Sequence, residues 1–293
     1  RDSYQSGREL VLDNILIEAF KHVLATEHKD QSYTALLLSL PSESYLAELM
    51  SVVDVVAIHQ AREFVIRTLA LHLQDALSRC YEQQLTAETG TVDAVAVGRR
   101  RLKNLCLSYL SRLDRYDVPR FAEQQFYHAP TMTDVIAALQ IIIDSQQASK
   151  VECLTHFYQK WQNHALVIDK WFALQASSTA SDTFDVLQEL LAHSAFDLKN
   201  PNRVRALIGA FCQSNPLHFH AANGQGYAFL AEQIIKLNSL NPQVAARMLT
   251  PLTAWRRYDA ERQAMMRAQL ERIMTTPSIS RDVYEVASKG LNS

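Results

Sequence analysis

The chain has 293 residues, 29 Lys and Arg against 31 Asp and Glu, a formal net charge of −2 and 48% hydrophobic residues. That balance excludes a basic nucleic-acid binder and a charged disordered tail, and no apolar run approaches the roughly 20 residues needed to span a membrane. Only 7 Gly and 8 Pro are present, too few turn formers for a β protein of this length, so long helices are expected. The first residue is Arg, which reads as a fragment or processed product, and no signal-peptide pattern follows it.

In chain order, the first strong segment is "DVVAIHQAREFVIRTLALHLQDALSRCYEQQL", from Asp54 to Leu85. Val55, Ile58, Phe64, Ile66, Leu69, Leu73 and Leu77 recur with a helical period behind Asp54 as N-cap. The polar "TAETG" reads as a loop before a second long helix, "TVDAVAVGRRRLKNLCLSYLSRL". Its "RRRLK" lies among Leu102, Leu105, Leu107 and Leu110 and reads as a solvated face. "APTMTDVIAALQIIID" starts another helix, with Thr131 and Asp134 spaced as a capping box. Further helices are expected over "LVIDKWFALQAS", "SDTFDVLQELLAHSAF", "NPNRVRALIGAFCQS", "GYAFLAEQIIKLNSL", "NPQVAARML", "DAERQAMMRAQLERIM" and "SRDVYEVASKGL". Two of these open with Asn-Pro, at Asn200 and Asn241, which places a capping side chain before a proline that needs no donor.

No strand alternation is present. Successive helices with short joints predict an all-α chain, a curved α-solenoid of stacked antiparallel helix pairs, armadillo- or HEAT-like but without a strict sequence period. One domain over 1–293 is expected. "SSTAS", Ser177 to Ser181, is the best candidate for a break within it.

Catalytic signatures are absent: no H-E-x-x-H, G-x-S-x-G, Walker loop or dinucleotide-binding glycine pattern occurs. Cys80, Cys106, Cys153 and Cys212 are far apart without a C-x-x-C pair, and read as reduced core residues of a cytosolic protein. His218 and His220 form the one close histidine pair. Without a third ligand they read as polar loop residues rather than a metal site. Asp259 and Glu261, near Arg256, Arg257 and Arg262, read as surface ion pairs. What remains is a set of polar side chains on otherwise apolar helices. Arg203 and Arg205 flank the stripe of Val204, Leu207, Ile208 and Phe211, while Gln243 and Arg247 lie four residues apart on the helix after Asn241. An Arg on a rigid helix suits a carboxylate, although a solvated face is the simpler reading of any one such pair.

"MTDVIAAL", "LVIDKWFALQA", "NPNRVRALIGAF", "NPQVAARMLTPL" and "RRYDAERQ", preceded by "YLAELMSVVDVVAIHQAREFVIRTLA", together resemble the C-terminal helical domain of bacterial aminopeptidase N, from about Tyr45 to the end. The resemblance implies a noncatalytic C-terminal domain of a larger cytoplasmic zinc aminopeptidase. The H-E-x-x-H zinc site, its distal Glu and the G-A-M-E-N segment would belong to the preceding domains, so no zinc or other cofactor is expected on this chain. It further implies that the chain caps the catalytic domain of the same polypeptide and encloses a chamber for peptide substrates. No nucleic-acid or membrane partner is expected. Carried over by position, Arg205, Gln243 and Arg247 would face that chamber and contact peptide. The competing expectation is a stand-alone helical scaffold for protein partners, which the absence of catalytic motifs also fits.

Overall fold

The computed structural model describes residues 5–26, 30–87, 90–113, 118–145 and 148–292, and among these there is no β-strand. The helices in chain order are α1 (Asn14–Ala25), α2 (Gln31–Leu37), α3 (Glu43–Glu48), α4 (Val55–Thr86), α5 (Ala94–Leu110), α6 (Val118–His128), α7 (Met132–Asp144), α8 (Lys150–Trp161), α9 (Ala165–Ala176), α10 (Thr183–Leu191), α11 (Pro201–Val204), α12 (Ala210–Ser214), α13 (Pro216–Phe219), α14 (Gln225–Asn238), α15 (Pro242–Met248), α16 (Thr250–Thr253), α17 (Ala260–Met274) and α18 (Arg281–Asn292). The expected long helices are present, and their lengths vary from 4 to 32 residues, which is why no sequence period is visible. Of "TAETG", residues 88 and 89 lie outside the described residues.

Helix starts follow the capping chemistry. Asp93 accepts from the Ala96 amide, Asp259 from the Arg262 amide, Asn200 from the Asn202 and Arg203 amides, and Asn241 from the Val244 amide. Each satisfies a backbone donor that the first turn leaves without an internal partner. Thr131 caps α7 as expected. The second half of its capping box differs, because the Asp134 carboxylate turns away from the backbone of Thr131 and into the core.

The chain forms two compact units, one of residues 1–46 and 57–154, the other of residues 47–56 and 155–293. In the first, Ile17, Phe20, Leu38, Leu69, Leu73, Leu77, Leu102, Leu107 and Leu110 make the core. Here α2 packs on α5 and α6 on α7. The "RRRLK" segment departs from its expected solvated face. Arg101 is exposed, but Arg100 is only 4% and Lys103 only 1% exposed. Lys103 Nζ lies 2.8 Å from Asp134 Oδ2, and Asn104 Nδ2 donates to Asp134 Oδ1 at 2.8 Å. Gln125 Nε2 donates to Asn104 Oδ1 and to the Asp134 carbonyl, and Tyr81 Oη donates to Gln125 Oε1. A buried charge pair survives in a core only with such partners.

In the second unit α14 packs on α15 and α17 on α18. Phe211, Phe219, Tyr227 and Phe229 make edge-on ring contacts at 5.3–6.2 Å between centroids, the geometry that aromatic quadrupoles favour. Gly226 lets α14 touch α13: a Cβ there would lie 2.2 Å from the Phe219 carbonyl oxygen. "SSTAS" is no break. Ser178 and Ala180 are buried inside this unit, and the Ser178 carbonyl accepts from Asn215 Nδ2 at 2.7 Å and from Thr183 Oγ1 at 3.1 Å. The serines there serve local turn hydrogen bonds rather than a flexible joint.

Candidate functional site

The candidate residues all lie in the second unit. Asn200 and Pro201 start a helix that does not run evenly: between α11 and α12, Arg205–Gly209 forms a π turn. A π turn takes one more residue per hydrogen-bonded ring than an α-helix, and such turns recur where a helix presents a functional side chain. Val204, Leu207, Ile208 and Phe211 are fully buried, as the stripe predicts.

The two arginines of this stretch have different environments. Arg203 is buried. Its Nε donates to the Ala195 carbonyl at 3.0 Å, its Nη1 donates to the Ala165 carbonyl at 3.0 Å and pairs with Asp169, and its guanidinium lies 5.5 Å from the Phe172 ring centre. It ties α9 and the segment before α11 together, with its head held inside the unit. Arg205 is exposed, and its only side-chain hydrogen bond among the described residues is to Asn202 Oδ1 at 3.1 Å, within its own helix.

Gln243 and Arg247 sit one turn apart on α15, both exposed, while Val244, Ala245, Met248 and Leu249 are buried beneath them. Neither polar side chain has a hydrogen bond or ion pair with the described residues. The helix is held from below by its apolar stripe and at its start by Asn241, so a Gln and an Arg are presented on a fixed frame with their donors open. The two helices meet at Gly209. The Arg205 Cβ and the Met248 Cε lie 3.7 and 3.9 Å from the point a Gly209 Cβ would occupy. Gly209 thus lets the Arg205–Gly209 turn pack closely against the buried Met248 side chain of α15.

Chemically this surface offers two cationic forks and an amide with both donor and acceptor ends, with no carboxylate paired to them among the described residues. It can bind a carboxylate or backbone carbonyls and cannot act as an acid, base or nucleophile at neutral pH. Among the described residues no group of three or more His, Cys, Asp or Glu could hold a metal ion. The described residues therefore do not fit a zinc site, and no step is assigned to a metal on them.

The histidine and acidic clusters are structural, in ways their local sequence hides. His220 is 6% exposed rather than in a polar loop; its Nδ1 is 2.9 Å from Tyr227 Oη, and its ring stacks on Tyr258 at 4.2 Å. Burial, with the Arg262 charge adding to it, pushes the imidazole down to about 3. Asp259 does pair with Arg262, at 2.7 Å, but Arg262 Nε also donates to the His220 carbonyl at 2.9 Å. Arg256 makes no such pair among the described residues. It donates to the Gly290 and Leu291 carbonyls at the end of α18, with its guanidinium 4.0 Å from the Trp255 ring centre.

Comparison with known proteins places this geometry. Residues 2–292 match a family model described as a domain of unknown function (DUF3458_C) with ARM repeats. The chain is 40% identical over 288 residues to aminopeptidase N of Escherichia coli, covering 98% of this chain and 33% of the relative. It is 39% identical over 275 residues to aminopeptidase N of Caulobacter vibrioides, covering 94% of this chain and 32% of that protein. A crystal structure of Legionella pneumophila aminopeptidase A in complex with aspartic acid superposes with a TM-score of 0.91 at 30% identity, over 99% of this chain and 35% of that one. The chain thus spans about a third of the length of the relatives it matches, and the match is to their C-terminal helical part.

Proposed function

Since the chain belongs to the DUF3458_C family of ARM-repeat domains, we propose that it serves as the noncatalytic C-terminal domain of a cytoplasmic zinc aminopeptidase that removes N-terminal residues from peptides. The observation that carries this reading is the similarity to aminopeptidase N along nearly the whole chain. In this reading residues 1–293 act as one domain, cap the catalytic domain of the same polypeptide and close a chamber around the peptide. The zinc belongs to that catalytic domain and supplies the activated water there. This chain supplies Arg205, Gln243 and Arg247 as donors for the part of the peptide beyond the cleaved bond. Their exposure on buried-faced helices, and the lack of a side-chain partner for Gln243 and Arg247 among the described residues, support that role.

The test is kinetic. In the full-length enzyme, Arg247→Ala should raise KM for tri- and tetrapeptides about 10-fold, the loss of one charge-assisted hydrogen bond, and leave turnover of a single-residue alanyl chromogenic substrate unchanged. Equal KM values across peptide lengths would remove the assigned contact. An upstream reading frame without a zinc-binding H-E-x-x-H would instead favour a stand-alone scaffold.

A further inference from the structure

Helix α2, seven residues long, has two apolar sides. Thr34, Ala35 and Leu38 are buried on one. Tyr33, Leu36 and Leu37, spaced as one face of a helix, lie on the other and are exposed, Tyr33 by 52% and Leu36 by 55%. One apolar face is enough to dock so short a helix on its own core. The Asp30 side chain accepts from the Ser32 and Tyr33 amides and fixes the start of the helix, so the second face is held on a rigid frame. Helix α5 runs beside α2 in the same direction: a Cβ on Gly98 would lie 2.9 Å from the Ser32 amide nitrogen, and Tyr109 Oη donates to the Leu38 carbonyl at 2.8 Å. The close approach at Gly98 brings the first turns of the two helices together, and there Val95 and Val97 of α5 are exposed as well. No charged residue occurs from Gln31 to Leu40 or from Ala94 to Gly98.

We propose that this outer face of α2 and the first turn of α5 is the seat of the polypeptide that precedes residue 1 in the full-length protein. The proposal rests on the reading of the chain as the C-terminal part of an aminopeptidase. Only 33% and 32% of the length of the two relatives is matched. In that reading the unmatched length lies ahead of this chain, and α2 and α5 belong to the first compact unit it meets. The chemistry of the face fits a permanent partner. Contiguous exposed apolar side chains mark an interaction site, and with no charge to desolvate, covering them costs no lost hydration of ions. The size of the face selects the kind of partner. Tyr33, Leu36, Leu37, Val95 and Val97 are far fewer than the roughly 20–30 residues a side that hold two free proteins together. A partner joined through the backbone needs no such area, because the link keeps it at high local concentration.

Photolyse a diazirine carbene label with the chain of residues 1–293 and with the full-length polypeptide, and map the insertions residue by residue by mass spectrometry. In the shorter chain Leu36, Leu37, Val95 and Val97 should be labelled at every protein concentration. In the full-length polypeptide their labelling should fall to that of the buried Leu107. Leu36→Gln combined with Leu37→Gln should leave the melting midpoint of the shorter chain in place and lower that of the full-length polypeptide. An equal drop in both would mean that the two leucines stabilise their own unit from within, and overturns the proposal. Protection that appears in the shorter chain as its concentration rises assigns the face to a second copy and also overturns it. Unchanged labelling in a full-length polypeptide that cleaves an alanyl chromogenic substrate overturns the surface and leaves the aminopeptidase reading standing. Protected residues in a full-length polypeptide without that activity uphold the surface and overturn the reading.

Discussion

Replacing Lys103 by Met removes the cation from a pair with no solvent to replace it. Lys103 is 1% and Asp134 0% exposed, and their closest atoms are 2.8 Å apart. After the substitution, Asp134 keeps its hydrogen bonds from Asn104 Nδ2 and Thr131 Oγ1, so its oxygens are not abandoned, but its charge is no longer balanced. Breaking one side of a buried ion pair costs about 3–5 kcal/mol. For a unit of this size each kcal/mol moves the melting midpoint by roughly 2–4 °C, so the first unit should melt roughly 6–20 °C lower. Far-UV circular dichroism and calorimetry would read the shift. A second variant combining Lys103→Met with Asp134→Leu should recover most of the loss, because the uncompensated charge is gone. A Lys103→Met protein within about 1 kcal/mol of the parent would refute the claim that the pair is desolvated and mutually dependent.

Three other outcomes follow from the second unit. His220 is neutral in the folded chain, with its value pushed down to about 3, against about 6.5 when unfolded. The unfolded state therefore binds the extra proton below 6.5, and stability is complete above that value and falls toward 3. The loss between pH 7 and pH 5 should be about 2 kcal/mol in urea midpoints, and His220→Gln should flatten that slope. Gly226→Ala sets a methyl 2.2 Å from the Phe219 carbonyl oxygen and should destabilise by about 3 kcal/mol, read by thermal melting. Arg203→Met should cost about 3 kcal/mol by leaving Asp169 and two carbonyls without their donor, whereas Arg205→Ala should stay within about 0.5 kcal/mol; equal losses in chemical denaturation would contradict their assigned environments.

The same two arginines show where sequence reasoning reaches and where it ends. Caps and stripes are local, so Asn200, Asn241 and the buried face of Leu207, Ile208 and Phe211 are visible in the residues themselves. Which neighbouring Arg turns inward depends on Asp169 and the Ala165 and Ala195 carbonyls, which lie 34, 38 and 8 residues away. Lys103 was hidden for the same reason: its partner lies 31 residues on, and Asp134 carries a local pattern, the capping box, that accounts for it without the core. The serines of Ser177–Ser181 look like a linker by composition, while the Asn215 amide that holds them is 37 residues distant. At the site, Gln243 and Arg247 differ from ordinary surface residues in no local property. Their interest came from resemblance, and the structure adds that their donors remain open.

The wide turn at Arg205–Gly209 holds one residue more than an α-helical turn would. Deleting one position inside it would let Pro201 to Ser214 wind as uninterrupted α-helix and leave Phe211 and Cys212 near their present places. A deletion elsewhere in the stretch would turn everything after it by about 100°. Relatives one residue shorter here should therefore have lost that residue inside the turn, and a chimera exchanging segments should cross over at Asn200 or Asn215.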